Sequence, residues 1–141
     1  MGAGTSCACT PCAVPPAPPP APDGRQATTP LLAARLTAAG DSMQVSWDAA
    51  SCPATDYNLI YGNLSDVASY ALSGAACSMG TSGSYGWAGV PAGNLYFLAV
   101  GLDGVGTESS WGLNGANQER NGSIASGACG VIVKNASGTC P

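Results

Sequence analysis

Histidine is missing altogether, and charge is scarce: Asp, Glu, Lys and Arg together make up 9% of the 141 residues. Without histidine there is no imidazole base, no Ser-His-Asp nucleophile set and no histidine ligand for a metal. The basic residues are Arg25, Arg35, Arg120 and Lys134, all far apart in sequence. A groove that tracks phosphates needs clustered cations, so no nucleic acid is expected as a partner. No apolar run approaches the roughly 20 residues that span a bilayer, and no charged start leading into an apolar stretch marks a secretion signal. No membrane span is expected. The acids Asp41, Asp48, Asp56, Asp66, Asp103, Glu108 and Glu119 fall mostly at expected turns or strand ends, where solvation accounts for them better than a catalytic acid pair does. No catalytic residue, cofactor or metal site is assigned. The turn Asp103-Gly104-Val105-Gly106-Thr107-Glu108 offers hard oxygen atoms but lacks the alternating acids of a calcium loop.

What the chain does have is cysteine. Seven cysteines in so short a sequence read as disulfides formed in an oxidising compartment, outside the cell or on its surface. Cys7, Cys9 and Cys12 would be the rival metal site, but C-x-C-x-x-C lacks the paired C-x-x-C knuckles of structural zinc. Cys9-Thr-Pro-Cys12 also lacks the histidine of a haem attachment motif. An odd number of cysteines within six residues leaves one able to reach another molecule.

Composition divides the chain into three parts. Residues 1–30 form a Cys- and Pro-rich arm whose run Pro15-Pro16-Ala17-Pro18-Pro19-Pro20-Ala21-Pro22 predicts an extended polyproline II spacer, because proline fixes its own torsion and donates no backbone hydrogen bond. The arm serves either as a plain linker or as a segment that docks on a partner. Residues 31–120 carry the period-two pattern of half-buried strands. Leu32, Ala34 and Leu36 alternate with Arg35 and Thr37, Met43, Val45 and Trp47 alternate with Gln44 and Ser46, and Tyr57, Leu59 and Tyr61 form a third strand. The stretch 64–86 holds one or two short strands. Trp87 to Gly101 reads as a strand, the turn Val90-Pro91-Ala92-Gly93 and a further strand, with a last strand between Ser109 and Arg120. Residues 121–141 contain Cys129 and Cys140 around Gly130-Val131-Ile132-Val133-Lys134, which reads as a disulfide-closed hairpin or strand. Short strands, turn signals and no sustained helical period predict an all-β, antiparallel two-sheet sandwich.

The order of Trp47, Tyr57-x-Leu59-x-Tyr61, the Val90-Pro91 to Tyr96 corner and Leu98-x-Val100 resembles a fibronectin type III domain of secreted bacterial proteins over about two thirds of the chain. The resemblance implies a module that binds, spaces or assembles without catalysis. It implies that Trp47 and Tyr96 are structural, with the Tyr96 ring in the core and its hydroxyl on nearby backbone. It also implies a bridge between Cys52 and Cys77. No Arg-Gly-Asp is present.

Strand alternation then assigns a face. With Tyr96, Leu98 and Val100 inward, Leu95, Phe97 and Ala99 point outward, joined by Ile60 from the neighbouring strand. Such an apolar outer face is covered either by the arm or tail of the same chain or by a partner. The expected function is a non-catalytic extracellular structural module that self-associates in a filament, a pilus-like fibre or another cell-surface assembly. The expected partners are other protein subunits, copies of this chain among them. The alternative is an accessory module of a secreted hydrolase, spacing it or binding polysaccharide through Trp87 and Trp111.

Overall fold

In the computed structural model, which describes residues 16–21 and 29–140, eight strands form two sheets. Strands β1 (Leu32–Arg35), β2 (Ser42–Ser46) and β5 (Ser84–Ala88) make the smaller sheet in the order β1-β2-β5. The larger sheet runs β4-β3-β6-β7-β8, from β4 (Gly74–Ala76) through β3 (Asp56–Asn63) and β6 (Leu95–Leu102) to β7 (Thr107–Glu108) and β8 (Val133–Lys134). Apart from one turn of 3-10 helix at Leu64–Asp66, the described residues contain no helix.

The alternating residues of β2 and β3 build the space between the sheets. Val45, Trp47, Tyr57 and Leu59 are buried there, with Tyr61 packed beside them. Trp47 lies against Tyr57 with ring centroids 5.1 Å apart, and Trp87 sits between Tyr61 at 5.1 Å and Phe97 at 5.9 Å. Aromatic rings at these separations attract one another beyond the apolar area they bury. Such a layer compensates for a glycine-rich sequence with few bulky aliphatic residues.

β6 has the opposite phase from the one expected. It pairs with β3 in the register Leu59↔Ala99, Tyr61↔Phe97 and Asn63↔Leu95, so Leu95, Phe97 and Ala99 share the inward face of Leu59 and Tyr61. Ile60, Leu98 and Val100 point the other way. There Ile60 and Val100 are fully buried with Trp111, under Tyr70, Leu72 and Ala75. The bare apolar outer face built from Ile60, Leu95, Phe97 and Ala99 therefore does not exist. Two of the chain's own segments cover the sheet, and both faces of β6 are packed.

The bridges also differ from expectation. Cys52 joins Cys140, and Cys77 joins Cys129, with Cα separations of 4.6 and 5.6 Å. The tail is not a hairpin closed on itself. β8 pairs parallel to β7, in the register Thr107↔Val133 and Glu108↔Lys134, which carries Cys140 on to the end of β2. The arm is likewise no free spacer over residues 16–21. Pro18, Pro20 and Ala21 are buried, and the Pro20 carbonyl oxygen packs 3.8 Å from the disulfide sulfur of Cys140. Gly101 and Gly138 lie so close to the Pro19 and Pro18 carbonyls that a side chain at either position would displace this segment. Cys7, Cys9 and Cys12 lie outside the described residues.

Candidate interaction surface

Both candidate sugar-stacking residues are core residues. Trp87 belongs to the layer between the sheets, and Trp111 seals the back of the larger sheet. Neither presents a ring face to solvent, so no stacking platform exists at these positions. Tyr96 does what a corner tyrosine does at one end only: its hydroxyl donates to the Ala71 carbonyl at 2.8 Å, tying β6 to the segment before β4. Its ring, out of phase with Phe97, lies on the side away from the inter-sheet core. Burial, with the Asp66 carboxylate nearby, pushes its hydroxyl above the ordinary tyrosine range.

Sequence reasoning missed a buried polar cluster behind the larger sheet. The fully buried Glu108 carboxylate accepts the Trp111 indole N–H at 2.8 Å, the Ser126 N–H at 2.7 Å and the Ser126 hydroxyl at 2.6 Å. Glu119 accepts from the Trp111 backbone N–H and the Ser110 hydroxyl and pairs with Lys134 at 2.8 Å. The Lys134 ammonium donates to the Arg120 carbonyl and sits 4.5 Å from the Trp111 ring centroid. Arg120 donates to the Trp111 carbonyl at 2.8 Å. Each of these charges is met by hydrogen bonds, as buried ions must be. The arrangement holds the tail to β7.

Among the described residues no group of three or more His, Cys, Asp or Glu side chains is placed to hold a metal. The glycine-rich turn between β6 and β7 uses its acid internally: the Asp103 carboxylate accepts the Val105 N–H at 2.9 Å and the Thr107 N–H at 3.0 Å. Partial burial raises the Asp103 pKa, but these N–H donors outweigh it and hold the carboxyl below its usual range. These bonds close the turn on itself.

The surface itself shows three apolar features. First, all four residues of β1 are exposed, Leu32 by 55%, as is Leu36 just after the strand by 54%, and among the described residues no further strand pairs with this edge of the smaller sheet. Such an edge offers unpaired backbone groups to another strand. Second, Val105, Ile132 and Val133 form a protruding group. Ile132 and Val133 donate backbone hydrogen bonds to Gly106, the residue after Val105, yet Val105 is 73% and Ile132 81% exposed. Third, a cavity of about 430 Å³ opens between the β1–β2 and β5–β6 turns, floored by Met43, Trp87, Leu95 and Phe97 and rimmed by Val90 and Pro91. No helix among the described residues is long and apolar enough to cross a membrane. The two disulfides fit an oxidising compartment. No protein-family model, curated protein or solved structure matches this chain.

Proposed function

We propose that this protein is a non-catalytic interaction module of an extracellular or cell-surface structure, one that assembles with copies of itself. The observation that carries this reading is the exposed set Val105, Ile132 and Val133, brought together by the backbone hydrogen bonds of Ile132 and Val133 to the Gly106 carbonyl. Single exposed apolar residues are ordinary on any protein, whereas a grouped set marks a contact surface. The open β1 edge and the 9% charge content support the same reading, because close approach of two copies meets little like-charge repulsion. Two sheets in the orders β1-β2-β5 and β4-β3-β6-β7-β8 support the likeness to a fibronectin type III module at the level of architecture.

Sedimentation velocity on unreduced protein, from micromolar to about millimolar concentration, tests the reading. The expected result is a weight-average mass that climbs with concentration, accompanied by rods or fibres in negative stain. A single monomeric boundary across the whole range would overturn it.

A further inference from the structure

The two disulfides sit in different surroundings. Cys52 is fully buried and Cys140 half-buried against the Pro20 carbonyl, whereas Cys77 and Cys129 are both exposed. Thiol–disulfide exchange begins with attack of a thiolate on a disulfide sulfur, so access decides which bridge reacts. A bridge between two exposed residues can be reached from solvent. One with a fully buried partner is shielded. The backbone around the exposed bridge is also held in an unfavourable conformation. Cys129 has φ 56°, and so has Ser78 beside Cys77, a left-handed region that residues with a Cβ enter at a cost.

The two ends of this bridge are anchored unequally. Cys77 follows β4, and the residues after it are tied to β3: the Ser78 N–H donates to the Asn58 side-chain carbonyl at 2.9 Å and the Met79 N–H to the Tyr57 carbonyl at 2.8 Å. Cys129 instead belongs to a loop over residues 121–130 that contains no strand. That loop runs from Arg120, bonded to the Trp111 carbonyl, to buried Val131. Past its opening turn, where the Gly122 N–H donates to the Glu119 carbonyl, it is joined to the rest of the protein by the Ser126–Glu108 hydrogen bonds and by the Cys77–Cys129 bridge. With the bridge open, one serine holds the loop over the buried Glu108 carboxylate.

We infer that the Cys77–Cys129 disulfide is a site of thiol–disulfide exchange that takes up an external thiol, while Cys52–Cys140 stays closed as the structural bridge. The incoming thiolate bonds to the Cys77 sulfur, the bond between Cys77 and Cys129 breaks, and Cys129 leaves as a thiolate that takes the proton lost by the incoming thiol. One disulfide is consumed and one is made. The step therefore requires no oxidant or reductant and can run in an oxidising compartment. Attack at Cys77 is favoured because it frees Cys129, the less anchored end, and lets its backbone leave the left-handed region. The partner class is a compact thiol, and the consequence is a loop released at its Cys129 end. This site is independent of any contact between copies.

Unreduced protein incubated with glutathione at about pH 8, where part of the thiol is ionised, then quenched with N-ethylmaleimide and mapped by mass spectrometry, tests the assignment. Glutathione is expected on Cys77 and maleimide on Cys129, about tenfold ahead of any modification at Cys52 or Cys140. In denaturant, where burial is lost, the two bridges should react at similar rates. In the mixed disulfide, hydrogen exchange at the Ser126 amide should rise about tenfold while β3 keeps its protection. Equal reactivity of the two bridges in the folded protein, earlier reaction at Cys52 or Cys140, or a selectivity that survives in denaturant would overturn the exchange site. Unchanged exchange at Ser126 in the mixed disulfide would overturn the release of the loop.

Discussion

Tyr57 shows how much a single side chain contributes here. It is fully buried, its hydroxyl donates to the Cys52 carbonyl and accepts the Ala54 N–H at 3.2 Å, and its ring supports Trp47. Burial pushes its ionisation above the ordinary tyrosine range. A raised folded pKa means that the stabilising contribution is complete below about pH 10, the unfolded value, and is lost as pH climbs through the folded value. Tyr57→Phe leaves the buried Cys52 carbonyl without its partner, at a cost of about 1–3 kcal/mol at neutral pH. Melting temperatures between about pH 9 and 12 should fall more steeply for the wild type than for Tyr57→Phe. Parallel curves would show that Tyr57 is not what alkali attacks. Acid acts through different groups. The Ser51 hydroxyl and N–H hold Asp48 below its ordinary range, so its contribution is present above that range and is lost as pH falls through the lowered value.

At the scale of elements, β2 and β3 were legible because only one of their faces is consistently apolar. Val45 and Trp47 alternate with Gln44 and Ser46, and that pattern has a single burial solution. β6 was not legible in the same way. Leu95-Tyr96-Phe97-Leu98-Ala99-Val100 is apolar at every position, so period two fits either phase, and the sequence does not announce that Trp111 and Tyr70 cover the second face. The phase settles only once Phe97 is paired with Tyr61. The cysteines pose a similar problem, since four of them allow three connectivities and neighbours in sequence need not be neighbours in space. Because the bridges span 88 and 52 residues, one nested inside the other, they tie the tail to both sheets' ends rather than to itself. A chain-entropy estimate gives about 4–5 kcal/mol for loops of that length. Replacing Cys52 and Cys140 by alanine should cost about 2–5 kcal/mol in denaturant unfolding and expose residues 16–21 to proteolysis, because Pro20 loses its contact with Cys140. Wild-type cleavage of that segment in the double variant would show that the arm is held independently of the bridge.

For the whole molecule the scarcity of charge, plain from the sequence, leaves exposed apolar side chains such as Val105 and Ile132 to dominate the proposed contact between copies. Composition can announce a sticky surface, but which patches face which way depends on a turn, a loop and two bridges that meet only in the folded chain. An apolar contact between copies carries a thermodynamic signature distinct from one made by ion pairs. Burial of aliphatic side chains strengthens on warming through the range near room temperature and is insensitive to screening, whereas ion pairs fade as the Debye length shrinks. The association constant should therefore rise between about 5 and 25 °C and hold or increase on adding about 0.5 M NaCl, with a negative heat-capacity change by calorimetry. Association that collapses in salt would place the contact on the molecule's few charges, Arg35 on the β1 edge foremost among the described residues, and not on Val105 and Ile132.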